Sequence, residues 1–189
     1  MKRFLFSVTL TLAVLCMYSQ EHLAFKGIPI EGSMTSFCQK LQAKGLIKRG
    51  ATNNITLFTG DFTGKQATIG VGATADGKNV HSVIVLFDDS RDWQNLVGTY
   101  DYYKELYTRK YGTPTANIEN ASSEFDSNTM LMHKLAEGEV TYASAWDVTG
   151  GVIELSIEKS DSYGKGMVLI KYRDALNIEA KIQNDMNDI

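Results

Sequence analysis

Asp61-Phe62-Thr63-Gly64 recurs as Asp147-Val148-Thr149-Gly150, and each copy is followed by strand-like alternation. The offset between residues 61 and 147 is 86 places. It lays Ala67, Ile69 and Val71 onto Ile153, Leu155 and Ile157. A period of two places alternate side chains on opposite faces of a sheet, and a Thr-Gly corner between two such runs predicts a hairpin. The same hairpin expected twice constrains the fold more than any other feature: two units of about 25–89 and 91–174 that share one core.

Each unit opens with a helix. Ser33 caps a helix whose apolar positions Met34, Phe37, Cys38 and Leu41 fall at helical spacing, and Gly45 ends it. The helix of the second unit runs from Asp92 to Tyr111, with a largely aromatic stripe of Trp93, Leu96, Val97, Tyr100, Tyr103, Tyr107 and Tyr111 that reads as core. Gly112-Thr113-Pro114 stops it. Strands are expected at 55–62, 66–72 and 80–88 in the first unit. The second unit repeats them at 140–148, 152–158 and 167–173, and a final helix over 175–187 is capped by Asp174. Residues 115–128 read as a long surface loop, and 130–136 fit a helical turn or a strand equally well. The fold class is therefore α+β: two tandem helix-plus-antiparallel-meander units forming one continuous antiparallel sheet, with helices on one face.

Two-residue turns at both corners would set the faces, and a slip of one residue would exchange them. Tyr142, Ser144 and Trp146 then share the core face with Ile153, Leu155 and Ile157. The opposite face carries Ala143, Ala145, Glu154, Ser156 and Glu158, with Leu57, Thr59, Thr68, Gly70 and Gly72 from the first unit. Its small residues leave it open.

Lys2 and Arg3 precede an apolar run from Phe4 to Cys16 and a polar stretch at Ser19-Gln20-Glu21. This is the layout of a secretory signal peptide over 1–20, followed by a single domain over 21–189. The run is shorter than the roughly 20 residues of a membrane-spanning helix. Cys16 follows Leu15 instead of a small residue, which disfavours a lipid anchor there. Removing residues 1–20 takes away Lys2 and Arg3 but no acid, so the formal charge moves from −3 to −5. A net-acidic chain without a basic run argues against nucleic acid and against anionic lipid as partners. Cys38 is then the sole cysteine, so no internal disulfide can form and stability must come from packing.

Paired carboxylates are the first chemistry to weigh, because aspartic peptidases carry Asp-Thr-Gly or Asp-Ser-Gly loops. Here Phe62 and Val148 intrude between aspartate and threonine, and hairpin corners explain both copies. His22, His81 and His133 have no partner at metal-ligand spacing, so neither metal nor cofactor is expected. Cys38 sits on an apolar stripe and reads as a buried thiol. There is no Gly-x-Ser-x-Gly and no phosphate-binding glycine loop. The candidate binding residues are Glu154, Ser156, Glu158, Lys171 and Thr68, which the register places on the open face. Cross-strand ion pairs would account for the charged ones equally well.

The segment from Phe25 through Gly27-Ile28-Pro29-Ile30-Glu31-Gly32-Ser33 to Leu46, together with Tyr111-Gly112-Thr113-Pro114, resembles small exported proteins of unknown function common in Bacteroides-like bacteria. The two helix-plus-meander units are similar in architecture to the β-lactamase inhibitor protein fold. That fold opens each unit with two helices, uses four strands and carries disulfides, so the likeness implies architecture alone. The expectation for function is an exported, non-enzymatic binding module in the periplasm or cell envelope. It would hold a protein, peptide or glycan on the open sheet face or the 115–128 loop. The alternatives are a small periplasmic hydrolase with a charged site on the sheet and a structural envelope component.

Overall fold

A computed structural model describes residues 21–52, 54–120 and 126–187. The expected signal peptide at 1–20 lies outside the described residues. The chain opens on a small hairpin, β1 (Ala24–Phe25) and β2 (Ile28–Pro29), where the sequence suggested only an extended segment. Its corner is Lys26-Gly27, with φ of 51° and 76°, the left-handed pair that a tight two-residue turn requires. Helix α1 (Met34–Ala43) follows, with Ser33 Oγ accepting the Ser36 N–H at 3.3 Å.

Four strands come next: β3 (Ile47–Thr52), β4 (Ile55–Phe62), β5 (Lys65–Ala73) and β6 (Val80–Leu86). Helix α2 (Trp93–Tyr111) then leads to β7 (Ala116–Asn120), α3 (Asn128–Glu137), β8 (Thr141–Val148), β9 (Gly151–Lys159), β10 (Gly166–Asp174) and α4 (Ala175–Asn187). The large sheet is antiparallel throughout its eight strands, in the order β3-β4-β5-β6-β10-β9-β8-β7. Each run of four is a meander, and the two meet where β6 pairs with β10.

The protein is thus α+β, with its helices packed on one face of the sheet. On that face Phe58, Ile69, Val71, Val83 and Val85 continue into Trp146, Ile153, Leu155 and Ile170, all at most 1 % exposed. Phe37 and Leu41 of α1, Leu96, Tyr100 and Tyr103 of α2, and Leu131 and Leu135 of α3 cover them. Burying each large apolar side chain contributes about 1.5–3 kcal/mol, which lets this core stand without a disulfide.

Both expected hairpins form with two-residue corners: Phe62 faces Lys65 and Val148 faces Gly151. The predicted faces hold, because Tyr142, Ser144 and Trp146 lie opposite Ile157, Leu155 and Ile153. The corners differ in conformation. Thr63 and Gly64 are both left-handed at φ of 53° and 83°, whereas in the second corner only Gly150 is, at 87°.

Two assignments change and one open segment is decided. Residues 116–120, expected within a loop, form edge strand β7, and 130–136 fall inside helix α3. β3 was not expected at all. Both edge strands are exposed along their length and bury no side-chain face, so neither carries the alternation by which a strand is legible. β3 also bears Lys48, Arg49 and a bulge between Lys48 and Gly50, which blunt a free sheet edge.

Candidate functional site: a groove between the first hairpin and helix α2

Tyr103, Tyr107 and Tyr111 recur every four residues, so they line one side of α2. That side faces the β1–β2 hairpin across a groove of about 650 Å³. The hairpin is held over the sheet by Phe25. Its ring stacks on Phe62 at 5.9 Å and meets Tyr172 edge-on at 5.1 Å. Both Asp-x-Thr-Gly corners border the groove, one through Phe62 and Thr63 and the other through Val148 and Thr149. From Tyr103 to Tyr111 the wall extends about 12 Å, at 1.5 Å per helical residue.

Gly150 shows how tightly the second corner is made. A Cβ there would lie 2.4 Å from the Leu23 nitrogen and 2.5 Å from the Glu21 carbonyl oxygen, so the incoming chain runs directly over this corner. A Cβ on Gly64 would meet nothing within 4 Å. At that corner Lys26 spans the gap instead, its Nζ donating to the Asp61 carbonyl at 3.0 Å.

The floor is aromatic, and its hydroxyls are turned inward. Tyr107 and Tyr172 share a hydrogen bond between their hydroxyls. The Tyr103 hydroxyl lies 2.9 Å from Thr63 Oγ1 and 3.3 Å from the Phe62 carbonyl. Burial pushes all three phenols above their ordinary pKa, so they stay neutral at physiological pH. Lys26 lies over the Phe62 ring at 5.7 Å, and Lys110 over Tyr111 at 4.8 Å. The core reading of the α2 stripe holds for Trp93, Leu96, Tyr100, Tyr103 and Tyr107, and one end of the stripe also borders the groove. The groove-forming part is distinguished only by polar-tipped Tyr103, Tyr107 and Tyr111 with Lys110 beside them, where a simple core stripe would carry leucines.

Of the residues expected to bind on the open face, Ser156, Glu158 and Lys171 are joined to one another, Glu154 lies beside them on β9, and Thr68 stands apart. Arg173 pairs with Glu154, Lys171 Nζ lies 3.1 Å from Glu158, and the Ser156 hydroxyl donates to Glu158 at 3.0 Å. Thr68 is on β5, separated from β9 by β6 and β10. Across the rest of that face Ile47, Ile55, Leu57 and Ile118 stand exposed beside Gly70 and Gly72.

Asp61 and Asp147 belong to β4 and β8, five strand spacings apart, or about 24 Å along the sheet at ~4.8 Å per strand. They cannot share a proton. Asp61 instead accepts the Gly64 N–H at 3.2 Å and braces its own corner. His22 lies 3.1 Å from Asp174, a carboxylate that is fully buried. Burial lowers the His81 pKa, and His133 is exposed on α3. Cys38 is buried with its Sγ 3.5 Å from Met34 Sδ, and burial raises its pKa. Among the described residues no cluster of three or more His, Cys, Asp or Glu could hold a metal ion, and no helix is long and apolar enough to cross a membrane. Comparison with family models, curated proteins and solved structures returned no match.

Proposed function

We propose that this chain is a non-enzymatic binding module that holds an organic ligand in the groove between the first hairpin and α2. The observation that carries this reading is the groove itself: about 650 Å³, within the range of roughly 300–1,000 Å³ usual for small-molecule sites, with a largely pre-paired aromatic floor. The acidic residues of the open face are already engaged by Arg173 and Lys171, which weakens the competing hydrolase reading. The leader-like sequence at 1–20 supports export to the periplasm or cell envelope. The mirrored strand order on either side of the β6–β10 pair supports a tandem origin for the two units.

The groove reading is tested by Ala24→Trp, because Ala24 lines the groove with an exposed side chain. Molecules co-purifying with the protein are released by denaturation and identified by mass spectrometry. Recovery of a ligand from the parent chain and its loss from the tryptophan variant support the reading. Equal recovery from both overturns it.

The open face supports a second reading, as a protein-contact surface. Ile55 and Leu57 are 50 % and 38 % exposed, adjacent on one face of β4, with their side chains lying over Gly70. Leu57→Lys should abolish a fixed neighbour in crosslinked intact cells. Crosslinks that survive the change argue against this surface.

A further inference from the structure

The reading of the groove as a ligand site leads to a statement about what fills it, and the inference below rests on that reading. Leu23, Ala24, Leu106 and Val148 are its aliphatic lining, and Phe62, Tyr103, Tyr107 and Tyr172 its floor. The hydroxyls of that floor are spent on Thr63, on the Phe62 carbonyl and on each other. A sugar laid there would bury hydroxyls with few partners, and an unpaired buried polar group opposes binding. The body of the ligand is therefore apolar.

The charge on the lining has the opposite character. Lys26 stands by the first corner and Lys110 beside Tyr111. Among the salt bridges of the described residues neither lysine has a carboxylate partner. Lys26 donates to the Asp61 carbonyl and lies over Phe62, and Lys110 lies over Tyr111. Glu21 is the one acidic residue of the lining, and the buried Asp174 carboxylate is occupied by His22 and by backbone N–H groups. We propose that the groove binds an elongated amphiphile of the fatty-acid type, its apolar body on the tyrosine floor and its carboxylate paired with Lys110 or Lys26.

Calorimetric titration with decanoate, decanol and decylamine, each below its micelle concentration, isolates the carboxylate because the three share one apolar body. Decanoate should bind at least about tenfold more tightly than decanol, a difference of about 1.4 kcal/mol. Decylamine should bind most weakly, and added salt should narrow the gap between decanoate and decanol. Lys110→Met or Lys26→Met, both checked for an unchanged circular dichroism spectrum, should bring decanoate down to the level of decanol. Decanol binding as tightly as decanoate, or neither lysine variant changing the ratio, overturns the carboxylate assignment and leaves the groove as a site. Binding of an acidic trisaccharide or of an apolar peptide with a free C-terminus, lost in Ala24→Trp while decanoate fails, overturns this proposal but supports the groove reading. Failure of all these probes, together with no ligand recovered from the parent chain, overturns both.

Discussion

The carboxylate of Asp174 accepts the backbone N–H of Leu23 at 2.8 Å, which ties the incoming chain to the end of the last sheet strand. The same side chain caps α4 through the Asn177 N–H at 2.9 Å and meets His22 Nδ1 at 3.1 Å. One fully buried residue thus fixes the hairpin that walls the groove. Asp174→Ala leaves the Leu23 and Asn177 donors unpaired, and at about 1–3 kcal/mol per orphaned group the expected loss is roughly 2–6 kcal/mol in urea unfolding. A loss below about 1 kcal/mol would show that the hairpin is held by its aromatic contacts alone.

The two Thr-Gly corners should respond differently to the same substitution. Gly64→Ala meets open space, so its cost is the left-handed backbone alone, about 1–2 kcal/mol. Gly150→Ala adds a collision with the Leu23 nitrogen and the Glu21 carbonyl and should cost at least about 2 kcal/mol more. Thermal melts of the two variants compare them directly, and equal melting temperatures would contradict the packing described for the second corner.

The hydroxyl pair of Tyr107 and Tyr172 predicts a non-additive double mutant. Tyr107→Phe or Tyr172→Phe alone leaves the other phenol without its partner and should cost about 1–2 kcal/mol. The double variant removes both polar groups and should be less destabilised than the sum of the two singles, by about 1 kcal/mol. Strict additivity in chemical denaturation would mean that the two hydroxyls do not interact.

Burial raises the pKa of Tyr100, Tyr103, Tyr107 and Tyr172 in the folded protein. Above about pH 10 the unfolded chain loses these protons first, so the folded state binds more protons and stability falls as pH rises. Each group contributes up to about 1.4 kcal/mol per pH unit to that slope, and none of them affects stability at neutral pH. Ultraviolet titration of phenolate should show this set ionising together with unfolding. A smooth titration near pH 10 in the native state would contradict their burial.

Glu154→Gln tests the ion pairs of the open face. Arg173 and Glu154 are partly exposed, so breaking the pair should change stability by no more than about 1 kcal/mol. The same variant screens the hydrolase alternative, since turnover of an ester, peptide or glycoside lost in it would assign Glu154 a catalytic role.

Strand pairing was legible wherever a strand buries one face. Ile153, Leu155 and Ile157 alternate with Glu154, Ser156 and Glu158, and a slip of one residue would exchange core and solvent, so β8 and β9 could be placed in register from the sequence. The same reasoning had no purchase on β3 and β7. Ile47 and Ile118 are each 56 % exposed, and these strands gain ladder hydrogen bonds without burying a patterned face. The groove was invisible for a different reason. Tyr103, Tyr107 and Tyr111 have helical spacing whether a sheet or a cavity lies opposite, and the residues that decide between the two, Leu23, Ala24 and Lys26, are distant in the chain.

By itself the sequence determined the two Asp-x-Thr-Gly corners, the alternation after them and therefore the faces of the strands they join, because turn chemistry and period-two burial act between near neighbours. Only the tertiary structure decided that both corners border one groove. Phe25 packing on Phe62 and Tyr172, and Asp174 holding Leu23, are contacts between residues far apart in the chain, and no local pattern encodes them.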